Sequence, residues 1–210
     1  MTVVILSKTS ANLHPCIAAV REHEPDARIV VVDDGLDSVP PDVETVIGVK
    51  PFIFARNANL GIAAAGEDDV VLLNDDALLR SQRGFTIMFD QLTHNPEYGL
   101  CGASCNSVGN TNQFPRSQGF RFEPRMVCFV CVALPRRTIQ RVGLLDERYV
   151  QYGFDDDDYC LRVRAAGLRI GISDDCFVDH KHLTSTFRAG GRADMSHNQK
   201  LFTQKWGAVR

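Results

Sequence analysis

The sequence predicts an α/β fold, a mostly parallel sheet flanked by helices and built as a single domain, on three observations. Apolar, largely β-branched runs at 3–6, 28–32 and 69–73, the last two each opened by one charged residue, recur between segments of helical periodicity. Strands that are apolar on both faces belong to parallel sheets with helices on either side. Two of these runs stop at paired aspartates, Asp33-Asp34 and Asp75-Asp76, the turn-forming chemistry expected where a strand leaves a sheet. Finally, 210 residues at 44% hydrophobic and 23% charged can bury a core without disulfides or structural metal, which excludes a disordered or collagen-like chain.

Taken in order, residues 3–6 are the first strand, ending at Ser7-Lys8-Thr9. Leu13, Ile17 and Val20 follow at helical spacing, with Asn12 as the expected cap. Residues 28–32 are the second strand, Val39-Pro40-Pro41 a turn, 43–49 the third strand, 59–65 a short helix and 69–73 the fourth strand. After a helix at 81–92 the pattern changes. Residues 98–103 and 126–134 read as strands separated by a polar loop rich in Gly, Asn and Ser at 106–119. A helix at 136–142, a turn at Gly143, a helix opened by four aspartates at 155–158 and extended pieces at 168–172 and 176–178 follow. The tail carries Gly190-Gly191 and a helix ending near Trp206.

Twenty-three basic against 26 acidic side chains give a formal net charge of −3 with no basic stripe. That balance argues against nucleic acid as a partner, because such binding runs on phosphate neutralisation. No apolar run approaches the roughly 20 residues that span a bilayer and no cleavable signal pattern opens the sequence, so a soluble, cytoplasmic protein is expected. Seven dispersed cysteines, an odd number, predict reduced thiols. Cys101, Cys105, Cys128 and Cys131 form a CxxxC…CxxC pattern suggestive of zinc. Cys128 and Cys131 fall inside the expected 126–134 strand, however, where side chains three apart point to opposite faces and cannot easily share one ion.

Three acidic clusters stand at the ends of elements: Asp33-Asp34, Asp75-Asp76 and Asp155–Asp158. Ligands of open parallel sheets bind beyond the carboxyl ends of the strands. Adjacent carboxylates repel, and a cation relieves that cost; the first two clusters therefore suit Mg2+ or Mn2+ holding a diphosphate. In the third, a helix N-terminus uses one or two aspartates, and Asp158 is spaced to pair with Arg162. At least one remaining carboxylate is a candidate general base. His180, after Phe177-Val178-Asp179, adds an imidazole suited to Mn2+ in a mixed carboxylate–imidazole site. His182 faces the same way if the strand continues.

These residues carry a resemblance. Val3-Val4-Ile5, Val32-Asp33-Asp34-Gly35, Asn59-Leu60-Gly61-Ile62, Leu73-Asn74-Asp75-Asp76, Val142-Gly143-Leu144-Leu145-Asp146-Glu147, Asp155-Asp156-Asp157-Asp158-Tyr159-Cys160-Leu161-Arg162 and Val178-Asp179-His180 stand in the order found in family 2 glycosyltransferases. The chain resembles these GT-A-fold, inverting, nucleotide-sugar enzymes from residue 3 to about 182, and Lys205-Trp206-Gly207 is similar to a common ending of the family. The resemblance implies a Rossmann-like nucleotide-binding half at 1–100, an acceptor and catalytic half at 101–182, and a mobile loop with a C-terminal helix at 183–210. It implies that Ser7 and Asp34 line the nucleobase pocket, that Asn59 and Gly61 flank the donor nucleotide, and that Asp75 lies nearer the ribose. Asp76, in a DxD-type motif, and His180 would hold Mn2+ or Mg2+. Asp156 falls at the position of the base, with Asp155 and Asp157 one residue to either side of that register. Gly190-Gly191 with Arg188 or Arg192 would close over the diphosphate.

The implied reaction moves a sugar from a UDP-, GDP- or dTDP-sugar to the hydroxyl of a carbohydrate or other acceptor. Ser7-Lys8-Thr9 departs from the family's Thr-Tyr-Asn-like segment, so the resemblance does not carry the nucleobase. The chain also reads as close to a minimal core, which leaves acceptor recognition to residues 106–125, the tail or a partner protein. A sugar nucleotidyltransferase is the nearest rival, but it needs a Gly-rich basic loop after the first strand, and residues 7–14 contain no Gly and one Lys. A haloacid-dehalogenase-like phosphatase needs a nucleophilic aspartate directly after its first strand, and a dinucleotide oxidoreductase needs GxGxxG there. A non-catalytic nucleotide-sugar-binding module is the remaining alternative; loss of Asp76 or of the 155–158 cluster would signal it, and both are present.

Overall fold

The computed structural model describes residues 1–180 and 194–207. His182, Arg188, Gly190-Gly191 and Arg192 lie outside the described residues. In chain order the elements are β1 (Thr2–Ser7), α1 (Ser10–His23), β2 (Arg28–Asp33), β3 (Glu44–Ile47), α2 (Phe54–Ala64), β4 (Val70–Asn74), β5 (Ala77–Leu79), α3 (Gly84–His94) and β6 (Tyr98–Cys105). After a 3-10 turn (Thr111–Gln113) come β7 (Phe120–Glu123), β8 (Cys131–Leu134), α4 (Arg136–Val142), α5 (Asp155–Ala165), β9 (Arg169–His180) and α6 (Ser196–Trp206).

The nine strands form one sheet in the order β3-β2-β1-β4-β8-β6-β9-β5, with β7 pairing β9. β3, β2, β1 and β4 are mutually parallel. β8 is antiparallel to both β4 and β6, and β9 runs parallel to β6. The carboxyl ends of β1, β2, β4, β6 and β9 therefore leave the sheet at one edge, with Ser7 paired to Asp33 and Leu6 to Asn74.

Alternate residues of each strand feed two cores. Val3, Ile5, Val31, Val71 and Leu73 pack with Leu13, Ile17 and Val20 of α1 and Phe85, Met88 and Leu92 of α3. Val4, Val30, Val32 and Leu72 pack on the other face with Ile62, Ile139, Tyr159 and Val163 from α2, α4 and α5. Burial on both faces is why these strands read as unbroken apolar runs. β3 is the exception: at the sheet edge, its Ile47 is 73% exposed.

Several expected elements are redrawn. The cap of α1 is Thr9, which accepts a hydrogen bond from the Asn12 N–H, and not Asn12 itself. The helix placed at 59–65 begins a turn and a half earlier, at Phe54. Of the strand expected at 126–134 only Cys131–Leu134 is strand; Cys128 instead folds against Gln113, whose side-chain oxygen accepts its N–H at 2.6 Å. Cys128 and Cys131 are thus not on one strand. The extended pieces at 168–172 and 176–178 are one strand with a bend: Ala103 pairs with Ser173 but Ser104 with Phe177, leaving Asp174, Asp175 and Cys176 as surplus. Past the bend, β9 pairs with β5.

Candidate active site

Asp33 makes the turn after β2: its Oδ1 accepts the N–H groups of Gly35 and Leu36, both at 2.7 Å, and Gly35 takes φ +103°, a conformation that favours glycine. That turn aims the neighbouring Asp34 carboxylate, buried at 5% exposure, toward Lys50, whose Nζ lies 2.7 Å from Oδ1. Beside it, Ser7 Oγ donates to Asp75 Oδ2 at 2.6 Å, and Asn12 Nδ2 approaches Asp75 Oδ1 at 3.5 Å. Burial raises the Asp75 carboxyl above the usual range, and the adjacent Asp76 charge adds to this against the Ser7 hydrogen bond. Ser7, Asp34 and Asp75 are therefore brought together along the strand ends.

The bend in β9 has its consequence here. Antiparallel pairing of Ala77 with His180 places the residue before Ala77 beside the imidazole. Asp76 Oδ1 and His180 Nε2 are 3.2 Å apart, although they are 104 positions apart in sequence. His180 Nδ1 lies 2.6 Å from the Ser107 carbonyl, an acceptor only, so Nδ1 carries hydrogen. Burial lowers the imidazole pKa, but Asp76 and the Ser107 carbonyl outweigh it and the net direction is upward. Asp76 is 1% exposed, and among the described residues neither of its oxygens accepts an aligned hydrogen bond. A buried carboxylate left in that state is costly without a cation. The donor set, one carboxylate oxygen and one imidazole nitrogen whose ring is oriented through its other nitrogen, fits Mn2+ or Mg2+ with open positions for ligand oxygens. Among the described residues no group of three His, Cys, Asp or Glu side chains forms a closed metal cage.

Sequence reasoning missed the residues that hold His180. Asn106 Nδ2 donates to Asp179 Oδ1 at 2.8 Å, and its Oδ1 accepts the His180 N–H at 2.9 Å. Their only signal was the position of Asn106 directly after an apolar strand.

Two expected donor-binding residues stand elsewhere. Asn59 spends both amide hydrogens on the Leu145 carbonyl (3.0 Å) and Glu147 Oε1 (2.9 Å), and its oxygen accepts the Leu145 N–H at 3.0 Å. It fastens the 145–147 segment and has no hydrogen left for a nucleotide. Gly61 sits where α2 crosses the sheet; a Cβ there would meet Val4 Cγ1 at 2.2 Å and Val32 Cγ2 at 3.1 Å. Close helix–strand packing accounts for this glycine.

The four aspartates of α5 divide by their partners. Asp158 is fully buried and engaged: Oδ2 with Arg162 Nε at 2.9 Å, Oδ1 with Lys205 Nζ at 2.7 Å, Trp206 Nε1 at 2.8 Å and the Tyr149 hydroxyl at 3.2 Å. Among the described residues Asp155, Asp156 and Asp157 have no such cation clamp, and they are only partly exposed. Burial, then the charges of Asp155 and Asp157, holds the Asp156 carboxyl well above the usual range. Burial, with Asp157 and Asp158, pushes Asp155 up to about 6, and burial also raises Asp157 against the opposing charge of Arg125. Burial raises the Tyr152 hydroxyl, and the charges of Asp156, Cys128, Asp155 and Asp76 add to it.

No protein-family model matches the chain, and no curated protein matches it in sequence. Solved structures do match. GalNAc-T7, in a crystal structure with UDP, GalNAc and Mn2+, superposes with a TM-score of 0.72 at 11% identity, over 85% of this chain and 43% of that one. S. aureus TarS (1–349) gives 0.64 at 10% identity, over 84% of this chain and 59% of that one. The chain thus spans less than two thirds of either neighbour. A mostly parallel sheet flanked by helices, with its acidic edge at the strand ends, makes this a single-domain GT-A glycosyltransferase fold.

Proposed function

We propose that the protein is a metal-dependent, inverting glycosyltransferase that moves a sugar from a nucleoside-diphosphate sugar to an acceptor hydroxyl. The observation that carries this reading is the buried Asp76 carboxylate, without an aligned hydrogen bond among the described residues and 3.2 Å from His180, at the ligand-binding edge of a GT-A sheet. UDP and Mn2+ in the GalNAc-T7 structure support the same donor chemistry here.

Asp76 and His180 would hold the divalent cation, Mn2+ or Mg2+, which would supply neutralisation of charge on the leaving diphosphate. Ser7, Asp34 and Asp75 bind the nucleoside side of the donor, Asp34 accepting a base N–H and Asp75 facing the ribose. Asp156 takes the proton of the acceptor hydroxyl as its oxygen attacks the anomeric carbon; the C–O bond forms while the bond to the diphosphate breaks, and configuration inverts. The raised carboxyl of Asp156 makes it a stronger base once ionised. Residues 106–125, whose Arg125 charge opposes the raised carboxyl of Asp157, offer the acceptor surface.

The test is release of nucleoside diphosphate from UDP-, GDP- and dTDP-sugars with Mn2+, Mg2+ or chelator, followed by NMR of the product anomer. Metal-dependent release from one nucleotide class and an inverted anomer are expected. Retention would overturn the role of Asp156, pyrophosphate release from a nucleoside triphosphate and a sugar phosphate would indicate a nucleotidyltransferase, and binding without release a binding module.

A further inference from the structure

The segment leading into α5 is conformationally costly, and α6 grips it from both sides. Gly153 and Phe154 are consecutive residues in the left-handed region, at φ +79° and +71°. For phenylalanine that conformation costs roughly 1–3 kcal/mol and persists only where surroundings enforce it. Those surroundings come from the far end of the chain. Asn198, buried, donates from Nδ2 to the carbonyls of Gln151 (2.8 Å) and Gly153 (2.7 Å), and its Oδ1 accepts the Gln151 N–H at 3.2 Å. Met195 packs over Gly153, its sulfur 3.4 Å from where a Cβ would stand. The Phe202 ring lies 5.2 Å from that of Phe154. One turn on, Trp206 Nε1 and Lys205 Nζ hold the Asp158 carboxylate, and Lys205 also reaches Asp146 Oδ2 at 2.9 Å.

These contacts bracket Asp155 and Asp156: one set fixes the backbone just before them, the other the side chain just after. We infer that α6 is a clasp that sets the position of the catalytic carboxylate, with Asn198 and Trp206 as positioning residues that touch neither substrate nor cation. The inference rests on the reading of Asp156 as base. It assigns to Asn198 and the Lys205-Trp206 pair a part in the chemical step separate from donor and metal binding, because the Asp76–His180 pair is built from β4, β5 and β9 and none of its stated contacts comes from α6.

The experiment compares Asn198→Ala and Trp206→Phe with the wild type. The first deletes three hydrogen bonds; the second keeps an aromatic ring but removes the Nε1 donor together with one ring of the indole. Expected for both are an unchanged Mn2+ affinity and donor KM with kcat reduced, about 100-fold for Asn198→Ala, the cost of a displacement near 1 Å at a reacting group. The acid limb of the kcat pH profile should move as well, which a loss of folded protein alone would not cause. A folded variant with wild-type kcat and pH profile would overturn the clasp. If Asn198→Ala does not fold, Trp206→Phe alone decides. A wild type that transfers no sugar would count against the glycosyltransferase reading; the clasp is then judged by 13C NMR titration of the Asp155 and Asp156 carboxyls, which Asn198→Ala must shift and an identical titration would refute.

Discussion

Asp156 and Asp76 are both recessed carboxylates, yet their surroundings prepare them for different tasks. Burial, and then the like charges of Asp155 and Asp157, make ionisation of Asp156 costly. Replacing it with asparagine should lower transfer by about 100- to 10,000-fold, the usual worth of a general base, while donor affinity holds. The same change should raise Tm at pH 8, because it removes charge repulsion from the folded state only; each kcal/mol gained moves Tm by about 2–4 °C at this size. Near-native turnover by Asp156→Asn would shift the base to Asp155 or Asp157. Asp76 faces an imidazole and lacks aligned hydrogen bonds among the described residues. A ligand at 100 times its Kd stabilises a fold by about 2.7 kcal/mol, so wild-type protein with Mn2+ and its nucleotide should melt several degrees higher. Asp76→Asn should abolish the Mn2+ dependence of that shift, measured by calorimetry with and without chelator; an undiminished Mn2+ effect would take Asp76 out of the metal site.

Among the elements, α2 shows how one motif can mislead. Asn59 and Gly61 fit the order of the family resemblance, but the helix turns both toward protein. Gly61→Ala would press a methyl group into Val4, and overpacking of this kind costs about 1–3 kcal/mol. A lower Tm with unchanged nucleotide and Mn2+ affinity is expected well below the melting range; weakened nucleotide binding there would return Gly61 to the donor site. The long apolar strands were legible because burial on both faces leaves an unmistakable run. β5 and β7 were not: three and four residues, held by pairing to β9, carry too little pattern to register. The 126–130 segment was read as strand for a related reason: Val127 and Phe129 are buried in the core shared with Tyr159 of α5, while the Cys128 N–H bonds the Gln113 side chain and not a ladder.

Across the whole molecule, the acidic clusters set the response to pH. Asp75, Asp155, Asp156 and Asp157 all have raised carboxyls, so between the unfolded value near 3.9 and their folded values the native state binds more protons than the unfolded chain. Stability should therefore fall as pH rises through that window, which for Asp155 closes at about 6. Asp68 and Asp146 are lowered, Asp68 mainly by its hydrogen bond from Thr2 and Asp146 mainly by Arg148, and their contributions disappear as pH falls through their depressed values. A stability maximum at mildly acidic pH follows, to be read from Tm between pH 3 and 8 in chelator. A Tm that climbs steadily to pH 8 would contradict these electrostatics.

By itself the sequence determined the α/β class, the parallel strands and the acidic residues at their ends, because each is written locally: apolar runs record burial on both faces, and turn chemistry records where a strand stops. It also placed Asp158 with Arg162, a pair one helical turn apart. Only the tertiary structure decided which aspartates are committed and which are available. Asp76 meets His180 through a strand pairing across the sheet, Asp158 is consumed by a helix some 40 residues downstream, and Asn59 is turned inward to hold a loop. Those choices depend on contacts between distant segments, and residue spacing along one chain does not encode them.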